Sequence, residues 1–525
     1  MPKTSQPHLS LPDFRLKITP KEADKAAELI RSPERYLTLY TEFKNIPGMI
    51  GVVTSANDTR NKGNFPTLGG ARIRTISELI SPAFITSIDN STKRAAAQKL
   101  ISLFRKSKEQ LAKLEIKQQL DLLALAKQAA ERESRFLAAS MSEKYVTLAA
   151  GQAGIADEAI FLPGEREESI GLGGKSVLIA ENLNFFQKGH EGFSTGQQRE
   201  NLFKQHGQHT AAYFKKTKIR HTTAEDMRVT PEDLNQVASA VKKAGYPDLV
   251  ACQTIAAGGT GNPSLATAEG VVAGIEALLD SDKNPYADKE LAIGIQGLGN
   301  VGSGVAKNLI KDFASGKIFC KKLLLYLTDI DKGRAESLQK ELLTDMQQSG
   351  INKDSVKFVI IYPANPKDPV PHEFISRPMD IFAPCAVPEI LSKKVLAELN
   401  LRCRYICGAA NNPWELDNLG VANLDTIKAY FKKNVNVSPF PMTNLGGIFH
   451  LEIGRAALAA GRPLDEAFQN RAGQLTRKTV YYLLTKMYAM SKKTKKPMEI
   501  LYTDWVNHMA ACMFKAKGAE SLSLA

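Results

Sequence analysis

The sequence contains no run of about 18 uncharged apolar residues, the length a membrane-spanning helix requires, so no membrane span is expected. The opening residues, MPKTSQPHLSLPDFRLKI, lack the apolar centre of a secretory signal. Only six of the 525 residues are cysteine (Cys252, Cys320, Cys385, Cys403, Cys407 and Cys512), and no two form a C-x-x-C pair. That argues against a disulfide framework and a zinc site, so we expect no metal and a cytoplasmic, reducing location. No internal repeat is visible. The net charge of +14 raises the question of nucleic acid or anionic lipid. The basic residues, however, are interleaved with acids over most of the chain. The one dense cluster, Lys492, Lys493, Lys495 and Lys496, is closed by Pro497 and reads as a solvated loop. No nucleic-acid partner is expected.

What is present is a soluble composition, 43% hydrophobic and 24% charged, in a chain long enough for two domains. The most informative stretch is GIQGLGNVG at 294–302. The apolar run Leu291, Ala292, Ile293, Ile295 predicts a buried strand. Gly297, Gly299 and Gly302 then give G-x-G-x-x-G, with Asn300 and Val301 inside it, and Ser303–Phe313 continues at helical period. Strand, glycine turn and helix in that order let backbone approach a pyrophosphate at a helix N-terminus. A second apolar run, Leu323–Leu327, ends in Thr328-Asp329, and an acid there can accept hydrogen bonds from the adenosine ribose. These residues predict a dinucleotide site. Asp329 favours NAD, since a carboxylate repels a 2′-phosphate, although Lys332 and Arg334 lie close enough to soften that preference.

Along the chain, residues 20–45 predict a helix and Met49–Ser55 a strand. Residues 94–140 predict one or two long helices, exposed and without a catalytic part, and 155–170 a loop insertion. Residues 266–282 predict a helix. Strands alternate with helices from about 290 to 412, at 291–296, 322–328, 356–362, 379–383 and 403–407, as a doubly wound parallel sheet requires. The last 80 residues predict helices broken at Gly461-Arg462-Pro463.

Two lysines stand out. Lys144 lies in MSEKYVTLAAG, at a helix end. Lys175 follows Gly171-Leu172-Gly173-Gly174 and enters the apolar run Ser176–Ala180, where desolvation would lower its pKa. Asp226, in TTAEDMRVTPED, cannot be preferred over its acidic neighbours on these grounds alone; Thr230-Pro231-Glu232-Asp233 reads as a helix cap.

Nine segments occur in the order found in the glutamate/leucine/phenylalanine/valine dehydrogenase family: LGGARIR at 68–74, MSEKYVTLAAG at 141–151, GLGGKSVLI at 171–179, TAEDMRVTPEDL at 223–234, GNPSLATAEGV at 261–271, GLGNVG at 297–302, DIFAPCA at 380–386, GAANNP at 408–413 and NLGGI at 444–448. The chain resembles that family, and its leucine/valine/phenylalanine branch in particular. The resemblance implies an α/β fold of two domains. One is a substrate domain (1–265 plus 445–525) with a mostly parallel sheet and C-terminal helices; the other is a doubly wound Rossmann dinucleotide-binding domain (266–444). It implies reversible NAD-dependent oxidative deamination of an amino acid to its 2-oxo acid and ammonia, NADP being the lesser expectation, in a homo-oligomer.

Residue by residue, the resemblance makes Lys175 the low-pKa lysine at the α-carbon oxygen and Asp226 the proton carrier for the amino group. Lys144 would hold the α-carboxylate, Gly69 and Gly70 would lend backbone to the substrate pocket, and Asn444 would lie beside the amino and carboxylate groups. Thr267 and Asn411 would orient the nicotinamide carboxamide, while Ala383, Cys385 and Ala386 would line the cofactor cleft. Glutamate-specific members carry a lysine before the Gly-Gly pair and a serine seven residues after the asparagine of the NAGG-like motif. Here those positions are Leu68 and Leu451, which implies an apolar substrate side chain: leucine, valine, isoleucine or phenylalanine. The alternatives are a glutamate dehydrogenase with other anchors and a non-catalytic interaction protein on the same fold. The chain departs from the family pattern by about 16 added residues near 155–170, by an addition within 76–120, and by NLGG in place of NAGG.

Overall fold

The computed structural model describes residues 17–58, 67–154, 172–182, 196–226, 228–246, 250–352, 354–365, 368, 370–415 and 422–516. The loop insertion expected at 155–170 lies outside the described residues. Two sheets organise the chain.

The first sheet has strands β1 (Tyr36–Glu42), β2 (Met49–Asn57), β3 (Thr67–Thr75), β4 (Leu172–Ala180) and β5 (His221–Glu225), in the order β1-β2-β4-β3-β5. β3 pairs in parallel with β4 and β5, whereas β2 runs antiparallel to both β1 and β4, so four strands share one direction. The helix expected over 20–45 is shorter. α1 (Pro20–Arg31) has Thr19 as its N-cap and ends at Ser32, and the β-branched and aromatic run YLTLYTE forms β1 instead. Ser32-Pro33 stops the helix because the residue before a proline is pushed out of the α region.

Between β3 and β4 lie α2 (Ile76–Leu79), α3 (Pro82–Thr86), α4 (Ser91–Lys106) and α5 (Ile116–Gly154). The addition within 76–120 is thus folded. Its Ile101 and Phe104 are buried in an apolar cluster with Leu122 and Ala126 of α5 and with Val53 and Val177 of the first sheet. α5 corrects the expectation of an exposed, non-catalytic hairpin. Its second half is buried almost all round, and a Cβ on Gly173 of β4 would lie 1.9 Å from the Ala138 carbonyl oxygen. Only glycine permits that approach, and it sets the lysine-bearing part of α5 directly against the lysine-bearing strand. α6 (Gly196–Thr217) and α7 (Pro231–Lys243) complete this half, with Thr230 capping α7 in a capping box as the sequence indicates.

α8 (Ser264–Ser281) leads to the second sheet: β6 (Glu290–Gln296), β7 (Lys322–Thr328), β8 (Val356–Ile360), β9 (Ile381–Pro384), β10 (Tyr405–Ile406) and β11 (Asn436–Val437). Its order is β11-β10-β9-β6-β7-β8 and every pairing is parallel. The strands are joined through α9 (Asn300–Ala314), α10 (Lys332–Gln348), α11 (His372–Ile375), α12 (Lys393–Glu398) and α13 (Leu424–Lys432). Strand order reverses between β6 and β9, and such a reversal opens a crevice beyond the carboxyl ends of the strands. The chain closes with α14 (Phe440–Thr443), α15 (Gly446–Ala459), α16 (Glu466–Thr494) and α17 (Met498–Ala516). α17 packs on α1 and α5, whereas α16 lies along α8, so the last helices tie both halves together. Lys492 and Lys493 sit in the last turn of α16 rather than in a loop. Among the described residues, no helix is long and apolar enough to cross a membrane.

Candidate active site

A cleft of about 1070 Å³ lies between the two sheets. β4 carries Lys175 into it, α5 carries Lys144, and the residue after β5 is Asp226. Lys175 is 4% exposed and Lys144 6%. The Lys175 ammonium donates to Asp226 Oδ2, and Arg72 Nε donates to the same oxygen at 2.7 Å. Arg72 also reaches Glu133 of α5 at 3.3 Å, and Arg74 Nε reaches the same carboxylate at 3.2 Å. Lys144 Nζ donates to Asn411 Oδ1 at 2.8 Å. Asn444 Nδ2 donates to Asn411 Oδ1 at 3.1 Å and to the Ala409 carbonyl at 2.6 Å.

Burial sets the protonation of this group. Desolvation brings Lys144 down to about 7, with Lys175 adding repulsion. Desolvation likewise brings Lys175 down to about 8 against the attraction of Asp226. For Asp226 burial works upward, but Arg72 and Lys175 outweigh it and hold the carboxyl far below its ordinary value. Its neighbour Glu225 lacks such cations and is pushed up to about 7 by burial and by Asp226. The cleft therefore holds an ionised carboxylate beside two lysines that can exchange protons near neutral pH.

The facing wall is the glycine turn. Gly297 has φ of +86°, and a Cβ there would stand 2.4 Å from the Ala386 Cβ. A Cβ on Gly302 would lie 1.8 Å from the Gly297 carbonyl oxygen. These two glycines let α9 start hard against the end of β6. Gly299 is the N-cap of α9 and no side chain caps the helix; a Cβ at Gly299 would meet nothing within 4 Å. The turn thus leaves open space in front of the unpaired N–H groups of a helix N-terminus, the chemistry that suits a pyrophosphate. Asp329 receives Leu298 N–H at 2.6 Å and Asp331 N–H at 2.8 Å, so its carboxylate also braces the turn. Arg334 lies 3.6 Å from that carboxylate.

Leu68, Gly70, Lys144, Lys175, Asp226, Asn444 and Leu451 share this cleft with Gly297, Gly299, Asn300, Val301, Asp329, Thr267, Cys385, Ala386 and Asn411. Three predicted residues do not reach its surface. Ala383 is fully buried inside β9, paired with Ile295, because the strand runs on to Pro384; the lining at that strand end falls to Cys385 and Ala386. Gly69 faces β4, where a Cβ would meet the Gly174 carbonyl at 1.6 Å. Gly302 serves the packing of α9 on Gly297. Cys385 is no nucleophile, since burial pushes its thiol up to about 12.

Sequence reasoning missed Arg72, Glu133 and Glu225. Arg72 had a signal: strand residues alternate faces, so Leu68, Gly70 and Arg72 must share one side of β3, and all three line the cleft. Leu68 and Leu451 line the cleft together with Leu137, Met141, Val229 and Ile448, which gives it an apolar wall.

The family model for Glutamate/Leucine/Phenylalanine/Valine dehydrogenase matches residues 258–453. Over that stretch the chain is similar to this family. A phenylalanine dehydrogenase from Caldalkalibacillus thermarum is 25% identical over 280 residues, 53% of this chain and 60% of that protein. A leucine dehydrogenase from Thermoactinomyces intermedius is 26% identical over 235 residues, 44% of this chain and 51% of that protein. The chain thus spans about half to three-fifths of the length of these relatives. In three dimensions it is similar to a hetero-hexameric glutamate dehydrogenase from Thermus thermophilus (TM-score 0.55, 12% identity, 95% of this chain and 94% of that one), a likeness of fold.

Proposed function

We propose that the chain is an NAD-dependent L-amino-acid dehydrogenase that deaminates an apolar substrate (leucine, valine, isoleucine or phenylalanine) reversibly to the 2-oxo acid and ammonia. The observation that carries this reading is the convergence of Lys144, Lys175 and Asp226 in one cleft that also contains the open glycine turn of α9. Nicotinamide dinucleotide, when bound, supplies the hydride acceptor. The chain's own residues do the rest. Lys144, held by Asn411 through one N–H, offers its remaining donors to the substrate α-carboxylate. Lys175, with its pKa near 8, takes a proton from the water that adds at Cα and returns it in the reverse direction. Asp226 receives the substrate ammonium and keeps Lys175 and Arg72 in place. Leu68 and Leu451 offer a side-chain carboxylate no polar partner, and the cleft's arginines Arg72, Arg199 and Arg228 are already engaged by Asp226, Asp233 and Glu78, so a buried carboxylate there is disfavoured.

Asp329 and the space before Gly299 fit the ribose and pyrophosphate of the dinucleotide, and the carboxylate favours NAD over NADP. The likeness to one hetero-hexameric neighbour is consistent with an oligomer, here read as a homo-oligomer, and the two-sheet arrangement supports a division into a substrate domain (1–265 with 445–525) and a dinucleotide domain (266–444). The test is NAD reduction by the purified protein across the twenty amino acids. Turnover confined to the apolar set is the expected result; turnover with glutamate above leucine, or with none of the twenty, overturns the reading.

A further inference from the structure

A second cavity, of about 370 Å³, lies behind the cleft between α5, α17 and the loop after β10. The two cavities share Ser140, Lys144, Asn411 and Asn444 as a common wall. On its far side Phe136, Trp414, Phe440 and Tyr502 give aromatic surface. The cavity is lined by two cations, Arg31 and Lys144, and two acids, Glu143 and Glu499. Arg31 is engaged by Glu143 and by Asn507, and Tyr502 by Thr147 at 2.9 Å. Arg31 attracts Glu499 from across the cavity, but among the described residues no ion pair to Glu499 forms within 4 Å. The Glu499 Oε2 is sealed from solvent and faces the indole N–H of Trp414, which supports the carboxylate without closing a full hydrogen bond. Burial, with repulsion from Glu143, pushes the Glu499 carboxyl up to about 8. The ionised form of this carboxyl is therefore costly in the empty cavity and would be favoured by a cation placed against it. The volume falls within the range of small-molecule sites, and the aromatic faces are suited to a cation.

We propose that this cavity is a second small-molecule site, separate from the catalytic cleft, that takes a primary ammonium group carried on an apolar body, with Glu499 as its anionic partner. The inference goes beyond the dehydrogenase reading and does not depend on it. Through the shared wall of Lys144 and Asn411, an occupant touches the back of the residues that face the substrate.

The test is calorimetric titration of the full chain with isopentylamine, with isopentanol as the uncharged counterpart. The wild type is expected to bind the amine and not the alcohol, and Glu499→Gln to weaken amine binding about tenfold or more, the usual scale for losing a charged hydrogen bond. Asp226→Asn, which removes the carboxylate of the catalytic cleft, is expected to leave it unchanged. Thr503→Phe, on the exposed rim of the cavity, gives up the Thr503 bond to the Glu499 backbone carbonyl but leaves the Glu499 carboxyl in place; it narrows the cavity and is expected to weaken the amine as well, which keeps the test decisive if Glu499→Gln folds poorly. No binding by the wild type, equal binding of amine and alcohol, or loss in Asp226→Asn but not in Glu499→Gln overturns the proposal. The amino-acid screen is read separately, so a failed screen removes the dehydrogenase reading and leaves this measurement standing.

Discussion

Lys144 Nζ stands 2.8 Å from Asn411 Oδ1, joining the long helix of the first half to the loop that follows β10 in the second. The bond uses one of the three N–H donors of the ammonium, which leaves the others to a substrate carboxylate. Lys144→Met keeps most of the volume and removes the charge. The expected result is a rise in KM for the amino acid of about 100-fold, on the scale of a charge-assisted hydrogen bond, with a smaller fall in kcat. Steady-state kinetics check it; an unchanged KM shows that Lys144 does not hold substrate.

The pH dependence follows from Lys175. Its pKa lies near 8 because burial disfavours the ammonium form, with Asp226 limiting the fall. Deamination uses the neutral amine, so kcat/KM is expected to rise with pH through about 8, and amination to fall over the same interval. Asp226→Asn removes the attraction that supports the ammonium form and therefore moves the limb to lower pH in the residual activity. A limb that stays in place in that variant contradicts the coupling.

The apolar wall can be inverted. Leu68→Lys together with Leu451→Ser restores the two polar anchors that the family's glutamate-specific members carry. Leucine turnover is expected to fall by about 100-fold in kcat/KM, as a buried ammonium now faces an apolar side chain, while glutamate turnover becomes measurable. Competition assays with both substrates decide; unaltered preference means these leucines are core packing and do not select the substrate.

Stability should weaken in mild acid. His206, His221 and His450 are buried, and desolvation lowers them to about 4, 3 and 4. In the unfolded chain each takes up a proton near its ordinary 6.5, so below that value the unfolded state binds more protons. Their contribution is complete above about 6.5 and is lost as the pH falls towards 4, at up to about 1.4 kcal/mol per histidine per pH unit. Thermal melts between pH 7.5 and 5 check this; a flat Tm across that window contradicts it.

Much of this was legible in the sequence because the relevant signals are local. β7 was read at its full span of 322–328, since a buried parallel strand is a continuous apolar run. The glycine turn was readable because positive φ and close approach leave only glycine. What failed was non-local. Nothing in YLTLYTE fixes its pairing with β2, so the predicted first helix ran on through β1. α5 was read as exposed because its alanines and lysines mix along the sequence, and only its packing on Gly173 shows which face is covered. Arg72 was passed over because its partners, Asp226 and Glu133, lie 154 and 61 residues away. The alternation along β3 held the clue.

The central claim is that a buried lysine amine on β4 performs proton transfer at the carbon that loses its hydrogen. The most direct measurement is the initial rate of NADH formation from the best apolar amino acid by wild type and by Lys175→Ala, both verified as folded. The account predicts a fall of about 1000-fold or more, the scale of removing a general acid–base group, with cofactor binding retained. A variant that keeps more than about a tenth of the wild-type rate contradicts it, because general acid–base catalysis by this amine would then supply less than its usual share.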